Sequence, residues 1–114
     1  MPDALPFELA PRDIKQRIDS GEPLRLIDVR EDYEFAEARI DGAALIPLNT
    51  VPANLQSIEA KADEALLVVY CHHGVRSLNV VNWLRGQGVE NVVSMAGGID
   101  RWSAEVDASV PRYY

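Results

Sequence analysis

A single cysteine, Cys71, occurs in the 114 residues, so no intramolecular disulfide can form and a disulfide-stapled scaffold is excluded. The thiol also lacks an internal resolving partner. Whatever group Cys71 acquires must leave on another molecule. Positive charge is scarce as well: 11 Lys and Arg against 18 Asp and Glu give a formal net charge of −7. Nucleic acid and anionic membrane surfaces need an extended basic face, so neither is an expected partner. An anionic substrate would have to be attracted locally. No uncharged apolar run approaches the length of a membrane span, and Met1 to Leu9 lack the basic-then-hydrophobic order of a signal peptide. A cytoplasmic location is the expectation. Internal repeats and low-complexity tracts are missing too, which leaves one domain over residues 1–114 that can bury about two-thirds of its unfolded surface.

What is present is an alternation of helix and strand with short connections. Pro11 can open a first helix, with Ile14 and Ile18 one turn apart on its face and Gly21 as its cap. A strand follows at 24–29, a short helix at 32–39, and a strand at 43–46 that Pro47 stops. Residues 50–61 read as a helix with Pro52 in its first turn and Leu55 and Ile58 pointing inward. Leu66 to Tyr70 is the most hydrophobic segment, and its lack of alternation predicts burial on both faces, as in the central strand of a parallel sheet. A helix at 77–85 carries Val80, Val81 and Leu84 on one stripe and is closed by Gly86 and Gly88. Residues 92–95 form a last strand, Gly97 and Gly98 turn the chain, and Ile99, Trp102 and Val106 mark a final helix before an irregular tail at 107–114. The pattern is that of an α/β fold with a parallel sheet covered on both faces and right-handed crossovers, whose site lies at the carboxyl ends of the strands. Asp28 and Cys71 both fall at that edge.

Cys71 stands where the buried strand gives way to a helix, in the run Tyr70, Cys71, His72, His73, Gly74, Val75, Arg76, Ser77. The thiolate is the reactive form of cysteine, and this loop holds groups that favour it. Backbone amides of residues 72–77 can curl around the sulfur, the next helix offers its N-terminus, and Arg76 supplies a permanent charge. Gly74 lets the backbone turn several amides inward. A lone cysteine is commonly a small buried hydrophobe, but the company of Gly74, Arg76 and Ser77 favours a nucleophile. Two adjacent histidines beside a cysteine suggest a metal. Three consecutive residues rarely converge on one tetrahedral ion, however, and no further Cys or His exists to complete a set, so no metal site is expected. His72 and His73 are read as tuning local charge or contacting substrate. Asp28 and Arg30 are read as structural, Glu34 as structural or solvated, and Trp83 and Trp102 as packing residues.

These residues together resemble the single-domain rhodaneses, a family of sulfurtransferases, over nearly the whole chain. The marks are Asp28, Val29, Arg30 after the first main strand; Glu34, Phe35, Ala36; the stretch Ile40 to Pro47; the loop Cys71 to Ser77; and Gly97, Gly98 with Trp102. One departure is Ala38, Arg39, Ile40, where the family often has Gly-His-Ile. The resemblance implies a central parallel sheet of about five strands with helices on both faces. It also implies a relay of sulfane sulfur through a persulfide on Cys71, with His72, His73, Gly74, Val75, Arg76 and Ser77 as the substrate-binding loop. The implied donor is thiosulfate or a persulfide, and the acceptor is cyanide, a thiol or a sulfur-accepting protein. No metal or organic cofactor is implied. Two other readings stay open: a non-catalytic rhodanese-like interaction or sensor module, and a cysteine phosphatase or arsenate reductase. The intact loop speaks against the first. Against the second, four residues separate Cys71 from Arg76, where those phosphatases have five.

Overall fold

The computed structural model describes residues 5–113. Residues 1–4, part of the amino-terminal stretch without signal-peptide character, and residue 114, the last of the expected tail, lie outside the described residues. The elements, in chain order, are β1 (Glu8–Leu9), α1 (Pro11–Asp19), β2 (Leu24–Asp28), α2 (Asp32–Glu37), β3 (Ala44–Leu45), α3 (Leu55–Glu64), β4 (Leu66–Tyr70), α4 (Val75–Gly86), β5 (Val92–Met95) and α5 (Gly98–Glu105). The five strands form one sheet in the order β1-β5-β4-β2-β3, and every pairing is parallel.

β4 is the middle strand, and all five of its residues are buried. Because side chains alternate across a strand, Leu67, Val69 and Cys71 enter a core with Ile58 of α3 and Val80, Val81 and Leu84 of α4. Leu66, Val68 and Tyr70 enter a second core with Ile14 of α1 and Ile99 and Trp102 of α5. The uninterrupted apolar run thus reflects two covered faces. No helix of the described residues is long and apolar enough to cross a membrane.

Several boundaries differ from the sequence expectation, each for a local reason. β1 was not expected. It is two residues long, lies between Pro6 and Pro11, and gains strand geometry only by pairing with Ser94 and Met95 of β5. The helix expected over 50–61 begins at Leu55, after two 3-10 turns at Leu48–Thr50 and Pro52–Asn54. There the Asn54 amide donates to the Thr50 carbonyl at 2.8 Å and the Thr50 hydroxyl to Pro47 at 2.7 Å, local bonds that compete with a continuous α-helical ladder. α2 stops at Glu37 rather than 39 because Arg30 takes the Ala38 carbonyl at 2.6 Å and the backbone extends there. α4 starts two residues earlier than expected, at Val75. Ile18 is 38% exposed and so does not share the burial of Ile14, and Trp83 is 37% exposed where packing was expected.

Candidate active site

Cys71 follows the last residue of β4 at the carboxyl edge of the sheet and is 1% exposed. Its sulfur accepts the Gly74 amide at 3.1 Å and the Ser77 amide at 3.4 Å, and the Ser77 hydroxyl lies 3.4 Å away. Two of the amides between 72 and 77 therefore turn onto the sulfur. Gly74 makes this possible: at φ +100° it reverses the chain into α4, a conformation that side chains resist. Behind the loop the Ser77 hydroxyl is 2.7 Å from that of Ser94 in β5, and both are fully buried. Ser94 was not legible as a site residue, because nothing in its sequence neighbourhood places it beside the loop.

The other polarity of the loop is bound from behind. The Cys71 carbonyl accepts the Ile99 amide at 2.9 Å and the His72 carbonyl accepts the Asp100 amide at 3.2 Å, so the free amides at the start of α5 hold the loop's oxygens. With its carbonyls turned to α5, the loop can point amides at the sulfur. Contact this close requires Gly98, at φ +62°: a Cβ there would lie 2.4 Å from both carbonyl oxygens.

Beside the cradle runs a line of charged groups. Arg76 donates two bonds to Glu34, at 2.7 Å to Oε1 and 2.9 Å to Oε2. Glu34 Oε1 also accepts the Glu31 amide, closing a capping box at the start of α2, and Oε2 accepts the Tyr113 hydroxyl at 2.7 Å. Tyr113 in turn accepts a 2.7 Å bond from Arg30, whose guanidinium grips Asp28 at 2.6 and 2.9 Å; Asp28 and Arg30 are fully buried. The Arg76 bonds hold the Glu34 carboxyl down at about 2. Burial pulls the other way, and the Tyr113 and Glu31 bonds add to the depression. Burial raises the Tyr113 hydroxyl to about 12. Of the two readings, Glu34 is thus structural and not solvated: it ties α2, the cysteine loop and the C-terminal segment together. Residues 107–113 are irregular, as expected, yet they pack on the site through Tyr113.

His72 and His73 stack on one another with ring centroids 3.9 Å apart, and Tyr113 stacks on His72, also at 3.9 Å. Burial lowers the pKa of His72, with His73 adding to the effect. His72 Nε2 is buried without a hydrogen-bond partner among the described residues. Asp100 comes close enough that one ligand atom each from His72, His73 and Asp100 lie within 4.8 Å, a third potential ligand that counting Cys and His alone overlooks. Arg112 already holds Asp100 through both carboxylate oxygens, at 2.9 and 3.0 Å. Imidazole lone pairs lie in the ring plane, and planes stacked 3.9 Å apart and 23° from parallel are a poor arrangement for a shared tetrahedral ion. Val75 projects outward and is 70% exposed.

Comparison with known proteins agrees with this architecture. A family model described as Rhodanese-like domain matches residues 10–105. An adenylyltransferase and sulfurtransferase of Zea mays, MOCS3-2, is 37% identical over 106 residues, covering 90% of this chain but 22% of the maize protein. The chain therefore spans about a quarter of the length of the first curated relatives it matches. A sulfurtransferase of Allochromatium vinosum is 30% identical over 96 residues, covering 84% of this chain and 87% of its own. Among solved structures, a rhodanese-like domain protein from Staphylococcus aureus superposes with a TM-score of 0.76 at 30% identity, covering 94% and 98% of the two chains.

Proposed function

The chain belongs to the rhodanese-like domain family, and from that premise we propose that it transfers sulfane sulfur through a persulfide on Cys71. The observation that carries the reading is the sulfur of Cys71 held by the Gly74 and Ser77 amides at a strand-to-helix turn. Donors aimed at a developing sulfur anion stabilise it without reorganising during the reaction.

The proposed reaction has two steps, as in other covalent relays. The Cys71 thiolate attacks the outer sulfur of the donor, a new S–S bond forms, and the donor's own bond to that sulfur breaks. From thiosulfate the leaving group is sulfite, and from a persulfide it is a thiolate, each departing with the bonding electron pair. An acceptor nucleophile, cyanide, a thiol or a sulfur-accepting protein, then attacks the outer sulfur of the Cys71 persulfide and releases the thiolate. Only one sulfur atom must enter the cradle. The rest of the donor stays at the mouth, where His73, Val75 and the outward N–H groups of Arg76 are available; the Arg76 side chain is 35% exposed. No metal or organic cofactor takes part in either step.

Intact-mass measurement tests this. After thiosulfate or persulfide treatment the protein should gain one sulfur at Cys71, and cyanide or a small thiol should remove it. Cys71→Ser should gain none, and substantial residual transfer by that variant would overturn the assignment.

A further inference from the structure

Arginines surround the site, yet each is already paired with a carboxylate. Arg76 holds Glu34 bidentately, Arg30 holds Asp28, and Arg112 holds Asp100. Arg101, whose side chain lies where a Cβ on Gly97 would go, pairs with Glu105 at 2.6 Å. The Glu34 partner is the most consequential of these carboxylates, because Arg76 belongs to the loop itself. The Glu34 side chain is only 6% exposed and that of Arg76 35%, so the carboxylate is held out of water against the guanidinium and the pair carries no net charge, while water still reaches the arginine side.

Resting on the sulfur-transfer reading, we propose that Glu34 determines the donor class: by neutralising Arg76 it disfavours dianionic thiosulfate and favours a thiol-borne persulfide whose far end carries little negative charge. The two donors differ at the mouth, not in the cradle. Thiosulfate brings a sulfonate that leaves as doubly charged sulfite, whereas a persulfide releases a singly charged thiolate. Arg76 in a bidentate pair still offers outward N–H groups for hydrogen bonding. It no longer offers a net positive field to hold two negative charges.

Tyr113 is the positioning residue for this device. Its hydroxyl donates to Glu34 while accepting from the buried Arg30, and its ring is pinned against His72. Glu34 therefore has a further anchor, besides Arg76 and the Glu31 amide, that opposes rotation of its carboxylate away from the loop. Acceptors on Glu34 are fully used, with bonds from Arg76, Glu31 and Tyr113 distributed over both oxygens.

The test compares the full chain with Glu34→Gln and with Tyr113→Phe, which keeps the ring and removes only the hydroxyl. The readout is the ratio of kcat/KM for thiosulfate to kcat/KM for a small-thiol persulfide. Releasing Arg76 should raise that ratio roughly fivefold or more in Glu34→Gln, through KM for thiosulfate, with the gain suppressed by added salt. Tyr113→Phe should move it in the same direction by less. A second readout needs no turnover: sulfate should protect Cys71 from iodoacetamide at lower concentration in both variants than in the parent chain. An unchanged ratio together with unchanged sulfate protection would overturn the role of Glu34, and Tyr113→Phe decides the matter if Glu34→Gln does not fold. Absence of sulfur uptake at Cys71 from both donors would instead overturn the sulfur-transfer reading, with sulfate protection still deciding whether Glu34 controls anion binding.

Discussion

Two glycines show how unequal residues of one type can be. A Cβ at Gly98 would sit 2.4 Å from the Cys71 and His72 carbonyl oxygens, on a backbone at φ +62°. At Gly86, the last residue of α4, a Cβ would meet open space. Gly98→Ala should destabilise the fold by at least about 2 kcal/mol and displace the loop, whereas Gly86→Ala should stabilise it by about 0.5–1 kcal/mol by lowering the entropy of the unfolded chain. Urea unfolding of both variants checks this. If Gly98→Ala proved neutral, α5 would not brace the loop as described. At this scale Cys71, Gly74 and Ser77 were legible because they fall within one short recognisable run. Ser94 and Tyr113 were not, since each reaches the site through pairings between distant segments, β5 beside β4 and the tail beside α2.

The cysteine loop, as an element, joins a strand to a helix with few residues to spare. With four residues between Cys71 and Arg76, it has up to ~3.5 Å less contour than a five-residue loop. The ring that encloses one sulfur atom should thereby be too tight for a phosphoryl group whose three oxygens all need donors. Hydrolysis of aryl phosphates by the protein should be negligible in the preparation that takes up sulfur. Inserting one glycine after Gly74 should depress sulfur uptake, because the Gly74 and Ser77 amides would lose their registration on the sulfur. Robust phosphatase activity that disappears in Cys71→Ser would reverse the assignment. Long elements were readable from the sequence: β4 announced itself by five apolar residues, and α4 by its apolar stripe. Short ones were not, since β1 exists only as a partner of β5, and the turns before α3 depend on side-chain bonds that mimic helix without continuing it.

For the whole molecule, acid is the informative perturbation. The Glu34 carboxyl is held at about 2, against an ordinary value of 4.5. A carboxyl depressed in the folded state binds fewer protons there than in the unfolded chain, so its contribution is complete above the ordinary value and is lost as the pH falls through about 2. The stability difference between the parent chain and Glu34→Gln should accordingly be largest above about pH 5 and shrink steadily toward pH 2. Urea unfolding at a series of pH values measures it, and a difference independent of pH would show that the Glu34 bonds to Arg76 and Tyr113 contribute nothing as a charge. Sequence alone indicated the parallel sheet and the edge where Cys71 lies, because both follow from the order of apolar segments. It could not indicate that residue 113 would return to residue 34, a contact across most of the chain with no periodic signature.

The Ser77 and Ser94 hydroxyls, 2.7 Å apart and leading to the sulfur of Cys71, form a chain in which every oxygen can give or receive. With a thiolate, Ser94 donates to Ser77 and Ser77 to the sulfur; with a protonated thiol, the direction can reverse. The reversal is two rotations about C–O bonds and moves no heavy atom. A buried site can thus adapt its hydrogen bonds to the sulfur at constant shape, as a compass needle follows a field within a rigid case.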